Sequence, residues 1–246
     1  MRFARLSLIV VVASTLTACI SPRVAPEKQA SVKRIAVVSL VQNALDERDV
    51  SGFLEIFNSF PDYKLPEWRL QQRAEDRAAA WLADQGYEVV RVTYPAEEIW
   101  STYHEPFRHF VTSPPDDISN LVVPHVGEQD IDAVVVIHPG QQGERCRGGE
   151  VCFGYGDNGF GIYVEPSFLS ADKPHVYASI AALVIDVPSG DILARVEFNE
   201  VVYLRRDFKI LPDFEGYTME DRQAIRERVD RLLDDSVETV LTDVGL

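Results

Sequence analysis

The stretch His175 to Val187 (H-V-Y-A-S-I-A-A-L-V-I-D-V) constrains this chain more than any other part of it. In an extended chain successive side chains point to opposite faces. Tyr177, Ser179, Ala181, Leu183 and Ile185 therefore share one face, and Val176, Ala178, Ile180, Ala182 and Val184 the other. A strand apolar on both faces must be covered on both, which places it centrally in a sheet. Pro188-Ser189-Gly190-Asp191 then reads as a turn, and Ile192 to Leu204 as the returning strand. The fold must accommodate a long hairpin with a layer above it and a layer below.

The remaining elements supply those layers. Arg34–Val41 (R-I-A-V-V-S-L-V) and Ile131–His138 (I-D-A-V-V-V-I-H) are β-branched runs that read as buried strands. Glu67–Gln85 predicts a helix, with Leu70, Ala74, Ala78, Trp81 and Leu82 on one face, Gly86 at its C-terminal stop and a strand over Tyr87–Tyr94. Asp46–Phe60 fits either a strand or a short helix, and Asp116 is placed to cap a short helix running through Val123. The last segment predicts the longest helix. Thr218 and Asp221 sit in capping-box positions, and Ile225, Val229, Leu232, Leu233, Val237, Val240 and Leu241 form its apolar stripe. Strands alternating with helices, then a run of strands and a closing helix, predict an α/β (α+β) fold: a single mixed sheet packed with a helix from the N-terminal half and a long C-terminal helix.

The front of the chain is an address. Arg2 and Arg5 precede an apolar run, Leu6–Leu16, too short to cross a bilayer as a helix. Leu16-Thr17-Ala18-Cys19 follows, a string that resembles the lipobox of bacterial lipoproteins. That resemblance implies cleavage before Cys19, acylation of Cys19 with fatty acids such as palmitate, and, with Ile20 next, sorting to the outer membrane. Two or more acyl chains give stable attachment where one does not. The expected organisation is a leader over residues 1–18, a lipidated flexible tether over 19–31 and one α/β domain over 32–246, facing the periplasm. The tether reading rests on its prolines and lack of apolar periodicity.

Composition narrows the partners. With 24 Lys+Arg against 39 Asp+Glu the net charge is −15. Nucleic-acid binding draws its affinity from basic side chains, so this balance argues against it and leaves the membrane and an envelope protein as expected partners. Cys146 and Cys152, in an exported chain, predict a disulfide; a metal or redox pair is the competing reading, but the spacing is not C-x-x-C and no second pair completes a zinc site. No cofactor is expected.

Several motifs approach chemistry. His104-Glu105-Pro106-Phe107-Arg108-His109 looks like a zinc-protease H-E-x-x-H with one residue too many; five helical residues turn the imidazoles roughly 140° apart, and Pro106 disturbs a helix. Gly154-Tyr155-Gly156-Asp157-Asn158-Gly159 is a literal G-x-G-x-x-G followed by a strand-like segment, where a dinucleotide site needs a helix. His138 ends a strand, a frequent address for catalytic groups, yet no nucleophile motif accompanies it. A periplasmic hydrolase with a site near His138 stands as the alternative to a binding or scaffolding protein.

One segment invites a binding role. Asn158-Gly159 predicts a two-residue hairpin turn with positive φ at both positions. It would pair Phe153 with Val164 and Tyr155 with Ile162, so that Phe153, Tyr155, Phe160 and Ile162 share a bulky face. The other face carries Gly154, Gly156 and Gly161, with Tyr163 opposite Gly154, and lets a backbone or ligand approach closely. The hairpin is read either as a presented contact surface for a partner or as an edge hairpin folding its apolar side into the core.

Taken together, the lipobox, the strand–helix–strand opening, the G-F-G-I-Y segment and the Y-A-S-I-A-A-L-V-I-D-V-P-S-G-D-I-L-A hairpin resemble a broad group of envelope lipoproteins. Their α/β domain is similar to those of the curli-secretion lipoprotein, the lipoprotein activators of penicillin-binding proteins and the amino-terminal domain of the Tol-system propeller protein. The distinctive match is the D-x-x-[ST]-G turn, here Asp186 to Gly190 with Ser189, and its flanking strands. The resemblance implies an envelope binding or assembly role without catalysis. The long alternating strands of a secretion pore are missing from the sequence.

Overall fold

Across residues 23–49, 62–103, 114–140, 158–165, 173–205 and 207–246, which the computed structural model describes, the chain forms eight strands in one mixed sheet and five α-helices. The spine is the hairpin read from the sequence: β7 (Lys173–Asp186) antiparallel to β8 (Ile192–Tyr203). Its turn closes as the D-x-x-[ST]-G pattern requires. The Gly190 amide donates to the Asp186 carbonyl at 2.8 Å with Gly190 at φ +76°, and the Ser189 hydroxyl donates to the Asp186 carboxylate at 2.7 Å.

The other edge of β7 carries two strands laid end to end. Ile180–Asp186 pairs with β5 (Ala133–Pro139), and Lys173–Ala178 pairs with β6 (Phe160–Glu165). The next file repeats the arrangement: β1 (Arg34–Ser39) runs parallel to β5 and β2 (Ala44–Asp49) parallel to β6. The two-residue β3 (Tyr63–Lys64) closes the β2 side and the short β4 (Glu88–Val90) the β1 side.

Helices cover both faces. α2 (Leu70–Asp84) and α5 (Met219–Val244) lie on the face that receives Val176, Ala178, Ile180, Ala182 and Val184, while α3 (Ala96–Tyr103) and α4 (Pro114–Val126) cover Leu183 and Ile185 on the other. The stripes read from the sequence are the ones buried. Leu70, Ala74, Ala78 and Leu82 of α2 and all seven stripe residues of α5 lie in the main core. Gly86 follows α2 at φ +93°, and the Thr218 hydroxyl accepts the Asp221 amide at 3.1 Å while donating to its carboxylate at 2.8 Å.

Three expectations need correction. Residues 23–31 are not a loose tether. α1 (Pro26–Ser31) is helical, Val24 is buried in the main core, its amide donates to the Val244 carbonyl at 2.8 Å, and Lys28 pairs with Asp186 at 2.8 Å. Pro26 occupies the first turn, where its missing N–H costs nothing. The strand expected over Tyr87–Tyr94 is only Glu88–Val90, because β1 offers it a partner over just three residues. The helix expected from Glu67 begins at Leu70, after a 3₁₀ turn over Pro66–Trp68 that ends in Arg69 at φ +50°.

No helix among the described residues is long and apolar enough to cross a membrane. The leader with Cys19, the Cys146–Cys152 pair, and His104 and His109 lie outside the described residues.

Candidate functional site

Where β5 ends and β6 begins, the sheet forks, and the junction is a single residue of β7. The Ser179 amide donates to the Gly159 carbonyl at 2.8 Å, and the Ser179 carbonyl accepts from the Gly140 amide at 2.8 Å. The neighbouring file bridges the same gap: the Leu40 amide reaches the Ile137 carbonyl at 2.7 Å and the Gln42 amide the Asn158 carbonyl at 3.4 Å. Both glycines are forced by closeness. A Cβ on Gly140 would stand 2.5 Å from the Ser179 hydroxyl, and one on Gly159, at φ +88°, would stand 2.8 Å from Ile180 Cδ1.

A buried polar cluster occupies the fork on the α3/α4 side of the sheet. The Asp46 carboxylate accepts the Asn158 side-chain amide at 2.8 Å and the Tyr177 hydroxyl at 2.7 Å. Asp46, Gly161 and Tyr177 lie in one row across β2, β6 and β7. A Cβ on Gly161 would fall 2.6 Å from the Tyr177 ring, so the tyrosine crosses the middle strand over a bare glycine to reach the acid. At Gly161 the space beside the backbone is filled by Tyr177; Gly154 and Gly156 lie outside the described residues.

His138 stands at the same fork and is 1% exposed. Its Nδ1–H donates to the Pro139 carbonyl at 2.6 Å, which leaves Nε2 as the unprotonated nitrogen, without a partner among the described residues. Burial, against that hydrogen bond and with the Arg195 charge nearby, lowers its pKa to about 4. At neutral pH it is an uncharged imidazole, its ring edge-on to Tyr103 at 5.8 Å. Among the described residues no carboxylate orients it, since the nitrogen that a catalytic acid would hold is given to a backbone carbonyl. The Ser179 hydroxyl is also buried and without a partner among the described residues.

β6 pairs with β2 and β7 rather than back across a turn at Asn158-Gly159. Only Gly159 has positive φ, and both edges of β6 are already taken, by β2 and β7, over Gly161–Val164. Phe160 and Ile162 point into the main core; Asn158, Gly159 and Tyr163 are buried too, so none of the five is a presented surface. Phe153 and Tyr155 lie outside the described residues. No group of three or more His, Cys, Asp or Glu among the described residues could hold a metal ion.

An open groove of about 630 Å³, missed at the sequence level, lies at the far end of the sheet, between β3, the Pro66–Trp68 turn, the Pro212–Glu215 turn and the start of α5. Its floor is an aromatic cluster: Phe214 packs on Tyr63 at 5.5 Å and on Trp68 at 5.4 Å between ring centroids. The Arg226 guanidinium stands 5.6 Å from the Trp68 ring, a cation–π geometry. Met219 on the rim is 81% exposed. The only signal was an apolar residue directly after the helix cap, off the buried stripe.

No protein-family model matches the sequence, and no curated protein matches it either. Solved structures align with most of the chain at low identity and low TM-score. The PelC dodecamer of Paraburkholderia phytofirmans is 13% identical, with 91% of this chain and 92% of that one covered and a TM-score of 0.32. A putative neuraminyllactose-binding hemagglutinin homologue from Helicobacter pylori is 11% identical, with coverages of 92% and 88% and a TM-score of 0.37. The lipoprotein GNA1162 of Neisseria meningitidis is 13% identical, with coverages of 83% and 99% and a TM-score of 0.29. At such scores these likenesses assign nothing to this chain.

Proposed function

We propose that this chain is a lipoprotein of the bacterial outer membrane, attached through fatty acids on Cys19, whose α/β domain works by binding or scaffolding in the periplasm. The lipobox string and the short apolar leader support the anchor. The exported location in turn supports a Cys146–Cys152 disulfide. The observation that carries the binding role is how the chemically competent side chains are used. His138, Asp46, Tyr177 and Ser179 are all more than nine-tenths buried at the fork, and His138 is held neutral with its Nδ1–H committed to the backbone. An enzyme of the hydrolase type requires a base with a pKa near its working pH and a route to substrate. The open surface is instead the groove rimmed by Met219.

Two measurements test this. Mass analysis of the N-terminal peptide is expected to show acylated Cys19, and Cys19→Ala should release the protein from membranes. In intact cells a photocrosslinking residue at position 219 should trap a discrete envelope protein that the same residue at position 189 does not. Indistinguishable crosslinks from the two positions, or hydrolysis of ester or amide probes that disappears in His138→Gln, would count against binding and for the hydrolase.

A further inference from the structure

We propose that the docked N-terminal segment fixes the orientation of the domain on the membrane, with the β7–β8 turn toward the lipid and the Met219 groove away from it. The inference rests on the lipid anchor at Cys19 and deepens that reading, since it names which pole of the molecule meets a lipid surface.

The argument is one of lengths. From Val24 onward the chain is held to one pole. Val24 is buried and bonded to Val244 at the end of α5, Lys28 is paired with Asp186 at the β7–β8 turn, and Val32 is buried beside the start of β1. Only the step from Cys19 to Val24 remains as leash, and five residues extend to at most about 18 Å. A free segment reaching to Val32 would extend to roughly 45 Å. α5 runs from this pole to the opposite one, from Val244 to Met219, and its 26 residues span about 39 Å. With a leash less than half that length, the domain cannot turn over to bring Met219 to the bilayer.

Charge opposes the remaining possibility, a domain lying on its side. The flank along α5 and β8 carries Glu200, Asp235, Glu238 and Asp243 around one shallow depression, and only Glu238 of these has a basic partner, Arg77, among the described residues. That flank repels anionic headgroups. At the tether pole Lys28 is paired with Asp186 and Arg34 with Glu88 and Asp130, so the basic groups there offset part of its acid.

Energy transfer to the membrane reads the pose directly. Full-length acylated protein is inserted in vesicles of phosphatidylethanolamine and phosphatidylglycerol carrying acceptor-labelled lipid. A donor dye is attached through an azide-bearing residue at the exposed position 188 or 219. Transfer from 188 is expected to exceed transfer from 219 several-fold. Releasing the clamp with Val24→Asp and Lys28→Glu should narrow that gap, with circular dichroism checking the fold; Lys28→Glu alone is the milder variant should the double one unfold. Equal transfer from both positions in protein shown to carry acyl chains would overturn the orientation while leaving the anchor intact. An unchanged gap in the released variants would overturn the clamp as its cause. Unmodified Cys19 by mass would bring down the anchor, and the orientation with it.

Discussion

Gly161 shows how one missing side chain organises a site. Its neighbours in the row are Asp46 and Tyr177, and the tyrosine ring fills the space that a Cβ would take. Gly161→Ala should push the ring aside and break its buried hydrogen bond to Asp46, at a cost of about 1–3 kcal/mol in denaturant unfolding. Tyr177→Phe should cost about 1–2 kcal/mol for the lost buried hydrogen bond, and the double variant should lose less than the sum, because both changes break the same contact. His138 makes a second residue-scale prediction. Its folded pKa of about 4 lies below the ordinary histidine value, so the unfolded chain binds the proton more readily. Its contribution is complete above about pH 6.5 and is lost as pH falls toward 4, roughly 2 kcal/mol between pH 7 and 5. Stability curves for His138→Gln should be flatter by that amount across this range; an unchanged slope would mean that His138 is not the neutral, sealed group described above.

At the scale of elements, the long helix and the short one illustrate opposite sources of stability. α5 has a seven-residue apolar stripe and a reciprocal Thr218–Asp221 cap. Thr218→Ala should cost about 1 kcal/mol without changing the fold, measurable as a lowered melting temperature. α1 has only six residues and no buried side chain of its own, too short to be helical in isolation. It is held by Val24, Val32 and the Lys28–Asp186 pair. Burial alone would raise the Asp186 pKa, but Lys28 and the Ser189 hydroxyl outweigh it and hold the acid below the usual carboxylate value. Their grip is therefore full above about pH 4 and is lost as pH falls through the lowered folded value. Pepsin cleavage within residues 23–31 should rise over that acid range sooner than cleavage in the sheet, and Lys28→Glu should make it fast throughout the range, without that pH dependence. A tether reading drawn from two prolines and weak periodicity missed this, because the docking partners, Asp186 and Val244, stand far along the chain.

On the scale of the molecule, the fork is what separates this sheet from a plain doubly covered one. β7 is long enough to hold two partners on one edge, and the chain supplies them from distant segments, β5 before residue 140 and β6 after residue 157. The polar cluster sits at their junction, while the groove sits at the pole where α5 begins. The sheet's two-sided burial was legible in His175–Val187, and so was the β-branched character of β1 and β5. The pairing partner of β6 was not: Asn158-Gly159 favours a local hairpin, and β2 and β7 outcompete it by occupying both edges.

Local periodicity and capping chemistry are carried by neighbouring residues, so the amino-acid order by itself determined the two-faced central strand, the turn over Asp186–Gly190 and the apolar stripes of α2 and α5. Competition for strand edges and for space beside glycine is settled only when distant segments meet. The tertiary structure alone therefore decided that Tyr177 lies across Gly161 to Asp46, that His138 is sealed and neutral, and that residues 23–31 fold back on the pole beside Val244.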